Sequence, residues 1–186
     1  SSAGLATDYD MFAPIIATSS KRSVWLAVNL ATAFLAAWVI GLFETTIENM
    51  VALAVLMPVV ASMGGIAGTQ TLTIVIRGLS IGQVGSANSR SVVSREIIIG
   101  FFNGCLWAVV VALISSLWFN NFGLGAIIAA AMVVNMVTAG FFGAMIPLTL
   151  DKLGIDPALA GGVMVTTITD VVGFFAFLGL ASRYLI

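Results

Sequence analysis

A chain of 186 residues that is 60% hydrophobic and only 8% charged, with a mean hydropathy of +1.15, carries too little charge to cover a water-facing surface, where about 25% is usual. It reads as an integral membrane protein. A net charge of −1 with no histidine and one cysteine, Cys105, excludes a basic nucleic-acid surface, an intramolecular disulfide, His-based zinc ligation and Ser-His-Asp catalysis; with no nucleophile–base pair in view, the chain is not read as an enzyme.

Residues 1–22 read as a connecting segment. They contain Asp8 and Asp10 and lack the basic-then-apolar order of a signal peptide. The acids fit a solvated linker, and the opening Ser1-Ser2 pair fits a cloning scar on a piece of a longer protein. Residues 23–186 form the transmembrane domain. Charges punctuate it into spans: Lys21 and Arg22 precede an uncharged run to Phe43, Glu44 and Glu48 follow, and Asn49 to Ile76 is again uncharged. A polar segment with Arg77, Arg90, Arg95 and Glu96 comes next. The uncharged stretch from Ile97 to Leu150 is too long for one span of about 20 residues. It divides at Phe119 to Gly123, where Asn-Asn and Gly favour a turn. The last run, Pro157 to Ser182, is interrupted only by Asp170. The pattern predicts five membrane helices at about 24–43, 49–76, 97–118, 124–149 and 158–182, an all-α architecture, since a barrel would show alternating segments of about ten residues. Lys21, Arg22, Arg77, Arg90, Arg95 and Lys152 then fall on one side. The positive-inside rule places the N-terminus in the cytoplasm and the C-terminus outside, across the cytoplasmic (inner) membrane.

The second span contains Pro58, then Gly64, Gly65 and Gly68, then Thr69, Gln70, Thr71 and Thr73. Gly64-xxx-Gly68 fits tight helix packing. The alternative is a bent or partly opened helix whose carbonyls and neutral oxygens line a watery path, an environment suited to hard cations. Gly100-xxx-Gly104 reads as a helix contact, Pro147 as a kink or stop, and Trp25, Trp107 and Trp118 as lipid-facing or interfacial anchors. The eight methionines read as core filler.

Asp170 has about a dozen uncharged residues on each side. An aspartate at mid-helix costs roughly 2.5–3.5 kcal/mol on insertion scales. Burial as the neutral acid is one explanation. A basic partner is a second, but no Lys or Arg lies inside any predicted span. The favoured explanation is function, because intramembrane carboxylates mark ion or proton pathways. Thr166 and Thr167 lie one turn back on the same face. One carboxylate does not neutralise a divalent cation, whereas a two-fold homodimer brings two Asp170 side chains to one axis. A Mg²⁺ that keeps its water shell would hold those carboxylates roughly 8–10 Å apart.

The runs from Leu42 to Val84 and from Leu153 to Ala181, with MPVVxxMGGxxGTQ at Met57 to Gln70 and DPAL…TD…GF at Asp156 to Phe174, resemble the membrane domain of the MgtE magnesium channels. The resemblance covers nearly the whole chain from about Arg22. It implies a homodimer of five-helix subunits with the pore at the two-fold axis, and a hydrated Mg²⁺, the transported ion, bound at Asp170 with Thr166 one turn away. It implies pore lining by Gly65, Thr69 and Gln70 of the second span, with Thr167 and Gly162 of the last. It also implies cytosolic regulatory domains in the full-length protein, which this chain lacks. Two departures from the family pattern stand out: Ile66 stands where Asn is common, and Gly161-Gly162 where some members are more polar. Both bear on selectivity and conduction. The expected function is a passive divalent-cation channel. The alternatives are a proton- or Na⁺-coupled transporter of divalent cations, and a membrane scaffold that dimerises through glycine faces.

Overall fold

Uncharged runs of this length satisfy their backbone hydrogen bonds in lipid only by coiling into helices, and five long apolar helices are what the computed structural model shows among its described residues, 14–186. Asp8 and Asp10, read as linker acids, lie outside the described residues. The helices are α1 (Ile15–Gly41), α2 (Glu44–Asn49), α3 (Ala52–Ser80), α4 (Ser89–Phe119), α5 (Phe122–Lys152) and α6 (Pro157–Tyr184). All but the short α2 are long and apolar enough to cross a membrane.

The spans run longer than their charge-free cores. Helix α1 begins at Ile15 and so crosses the boundary placed after residue 22. Helix α4 begins at Ser89, so Arg90, Arg95 and Glu96, expected in a loop, are its first turns. A charge halts an apolar run in the sequence, but it does not break a helix. The six-residue α2 was not expected. Phe43, the residue just before it, packs edge-on to Phe175 of α6 with ring centroids 5.7 Å apart.

The connections use local chemistry. Asn120 takes the left-handed conformation at φ 49°, and the Asn121 side chain accepts from Leu124 N, capping α5 where the Asn-Asn turn was expected. Asp156 caps α6 by accepting from Ala158 N at 3.0 Å, with Pro157 at the first helical position. Gly154, at φ +73°, makes the sharp turn between α5 and α6. Pro147 is buried inside α5 and does not end it; the helix continues to Lys152.

Helix α5 is the centre of the bundle. It packs against α3, α4 and α6, and α3 also packs on α6. Leu124, Ile128, Ala131 and Met132 of α5 form the core with Leu53, Val60, Phe177 and Leu178. Helix α1 docks mainly on α6 and leaves most of its surface outward. Trp25, Trp107 and Trp118 are all exposed on the bundle surface.

Candidate functional site

Glycine sets how closely α3 approaches its neighbours. The hydrogen-bonded helix runs unbroken through Pro58 and through Gly64–Gly68, so the opened helix entertained from the sequence is not found and the packing explanation holds. A methyl on Gly64 would run into the Asn135 amide, with its Cγ at 2.8 Å, and one on Gly68 would strike Val165 of α6. Gly65, one residue on, has nothing within 4 Å of where a Cβ would be. One helical step of about 100° separates a packed face from an open one.

On that open face lies a shallow groove between α3 and α6. It is lined by Ala61, Ser62, Gly65, Ile66 and Thr69 from α3 and by Thr166 and Asp170 from α6. Positions 62, 65, 66 and 69 share one helical face, as do 166 and 170, so two regular helices suffice to gather these side chains. Asp170 is half-buried at the wall of the groove. None of the hydrogen bonds found among the described residues reaches its carboxylate. Thr69 Oγ1 donates to Gly65 O at 2.8 Å, which spends its proton and leaves the oxygen an acceptor. Thr169, one residue before the acid, is fully buried and bonds back to Val165 O at 3.0 Å.

The other expected residues divide. Gly162 lies two turns before Asp170 on the same face, with open space at its Cβ position, whereas Gly161 packs against Leu72. Thr167 is half-buried, donates to Val163 O at 2.7 Å and does not line the groove. Gln70 is not in the groove. It lines a separate cleft with Thr71, Glu96 and Asn103, because position 70 is one step round the helix from Thr69. Ile66 is 59% exposed and lines the groove directly.

Among the buried polar residues that the sequence reading did not assign to a site are Glu96 and Asn135. Glu96 is 7% exposed and accepts from Thr71 Oγ1 at 3.3 Å. Asn135 is 0% exposed; its Nδ2 donates to Val60 O at 3.1 Å, in a cradle formed by Gly64 and Gly173. It therefore ties α5 to both groove-forming helices.

Chemically, the groove offers one carboxylate and a few hydroxyls. Among the described residues no group of three or more His, Cys, Asp or Glu gathers to hold a metal ion. A single copy thus lacks the donor set for a dehydrated divalent ion, which needs six or more oxygens. Its carboxylate and hydroxyls are suited to accepting hydrogen bonds from the waters of a hydrated one.

Residues 57–180 match the family model of MgtE, described as a divalent cation transporter. The magnesium transporter MgtE of Bacillus subtilis (strain 168) is 33% identical over 165 residues, 89% of this chain and 37% of that protein. The magnesium transporters MgtE of Enterococcus faecalis and Thermus thermophilus are each 29% identical, over 90% and 88% of this chain. The chain spans little more than a third of the length of these curated relatives. The matched residues include every side chain of the groove.

Proposed function

The chain belongs to the MgtE family of divalent cation transporters, and from that premise we propose that it forms a Mg²⁺ channel in which two copies face each other across the groove. The observation that carries this reading is the open α3–α6 groove with Asp170 in its wall and Gly65, Thr69 and Thr166 beside it. A lone acid at an open face of an apolar bundle is costly in lipid. A second copy, related by a two-fold axis, turns the half-groove into a closed path and supplies the second carboxylate. The relatives' names supply the ion.

In this arrangement each Asp170 accepts hydrogen bonds from water in the first shell of a hydrated Mg²⁺. The ion's charge is balanced by the two carboxylates, and no protein ligand replaces its water. Gly65 and Gly162 keep the path wide enough for the shell, and Thr69 and Thr166 offer further acceptors. Ile66 places an apolar wall beside the ion. The basic ends at Lys21, Arg22, Arg77 and Lys152 face the cytoplasm. In the full-length protein, cytosolic domains joined to the N-terminal side of α1 regulate opening.

The test is Mg²⁺ uptake into liposomes carrying the purified chain, with and without a proton gradient. Uptake that needs Asp170, tested as Asp170→Asn, and ignores the gradient supports the channel. Uptake that follows the gradient overturns it in favour of coupled transport. Equal uptake by Asp170→Asn removes the carboxylate from the path.

A further inference from the structure

A second polar site lies on a different face of α3. A cleft of about 100 Å³ opens between α3, α4 and α5, lined by Gln70, Thr71, Glu96, Asn103 and Met136 among others. A water needs roughly 10–15 Å³ on this measure, so the cleft has room for several waters, or for an ion with part of its shell. Its one formal charge is Glu96, which is 93% buried, the complement of its 7% exposure. The Thr71 hydroxyl donates to Glu96 Oε2 at a long 3.3 Å. None of the hydrogen bonds among the described residues joins Glu96 to Arg77, Arg90 or Arg95.

The acid cannot withdraw by a backbone shift. Gly140 of α5 lies directly against the Glu96 carbonyl, and a methyl on Gly100, one turn on, would sit 2.6 Å from Met136 O. Helices α4 and α5 are in backbone contact there, which fixes the Glu96 side chain across toward α3. Helices α3 and α4 otherwise share little contact. Depth matters as well. Helix α4 has 31 residues, about 46 Å at 1.5 Å per residue, against a hydrocarbon core of about 30 Å. Glu96 is seven residues from its start, about 10 Å along, near the boundary where ions have access.

We propose that this cleft is a binding site for one monovalent hard cation of the sodium class, with Glu96 as the charged ligand and Thr71, Gln70 and Asn103 supplying neutral oxygens. A single carboxylate balances a single positive charge, whereas a divalent ion would leave an excess charge in a poorly screened site. Amide and hydroxyl oxygens are the ligands that hard cations prefer. The bound ion clamps α3 to α4 and is independent of the Asp170 groove.

The test is equilibrium binding of ²²Na⁺ to the purified full chain at constant ionic strength, with choline as the replacement cation. Saturable binding near one ion per chain is expected in wild type. Glu96→Gln should weaken it about tenfold or more, the equivalent of roughly 1.4 kcal/mol. Asn103→Leu and Gln70→Leu, at exposed positions, should weaken it less; they carry the test if Glu96→Gln does not fold. Absence of saturable binding in wild type, unchanged binding in the folded variants, or displacement by stoichiometric Mg²⁺ but not by excess unlabelled Na⁺ would each overturn the proposal.

Discussion

Gly64 and Gly65 are adjacent in the chain, yet alanine at each should act oppositely. A methyl on Gly64 points into the Asn135 amide, 2.8 Å from its Cγ and 3.2 Å from its Oδ1. Ordinary contact begins near 3.4 Å, so the amide must move by more than half an ångström. It has no space to do so, being fully buried between Gly64 and Gly173 and tied to Val60 O. Overpacking of this kind costs about 1–3 kcal/mol, and a lost interhelical hydrogen bond in a membrane bundle adds about 0.6 kcal/mol. The gain in helix propensity from Gly to Ala returns up to about 1 kcal/mol. The net expectation is a destabilisation of about 1–3 kcal/mol. Gly65→Ala meets nothing within 4 Å and keeps the propensity gain. Thermal unfolding in detergent, followed by tryptophan fluorescence, should show Gly64→Ala melting several degrees below wild type and Gly65→Ala at or above it. In liposomes, Gly65→Ala should nonetheless lower Mg²⁺ uptake, because its methyl projects into the proposed path. If both variants melt like wild type, the Asn135 cradle does not hold the helices as described. If Gly65→Ala conducts like wild type, the open face is not the path.

Further perturbations test other contacts. Gly100→Ala places a methyl 2.6 Å from a backbone oxygen of α5, which cannot rotate away; it should cost about 1–3 kcal/mol, visible as a lower melting temperature, while Gly162→Ala should melt like wild type. Removing the α6 cap with Asp156→Ala, which loses the 3.0 Å bond to Ala158 N, should cost about 1 kcal/mol, with Asp156→Asn recovering most of it by the same melting assay. Ile66→Asn, which puts a polar amide at an exposed groove position, should leave the melting temperature within a degree or two and change the ratio of Mg²⁺ to Ca²⁺ uptake; an unchanged ratio would show that this wall does not touch the ion's shell.

The five spans were legible because charge is so sparse here that each acidic or basic cluster marks a helix end within a few residues. Their true starts were less so: Arg90, Arg95 and Glu96 looked like loop, yet long helices carry charged turns at the interface. Helical spacing put Thr166 and Thr167 beside Asp170, and the family resemblance named Gly65 and Thr69; the groove gathers Asp170, Thr166, Gly65 and Thr69 but not Thr167. Gln70, grouped with Gly65 and Thr69 by the family resemblance, lies on the neighbouring face of α3. A regular helix puts 65 and 69 on one face and 67, 70, 71 and 74 on another, as the two clefts show. Asn135 had a signal, a lone amide in a long apolar run, but a neutral side chain does not raise the insertion cost that drew attention to Asp170. Its partner, Val60 O, is 75 residues away in sequence, and only tertiary packing brings the two together.

The account rests on two Asp170 carboxylates sharing one hydrated ion. Calorimetric titration of the purified chain with Mg²⁺, alongside light scattering for its mass, tests that directly. The prediction is a dimer that binds one Mg²⁺ per two chains at this site, with the binding lost in Asp170→Asn. One ion per chain, or undiminished binding in Asp170→Asn, would contradict it.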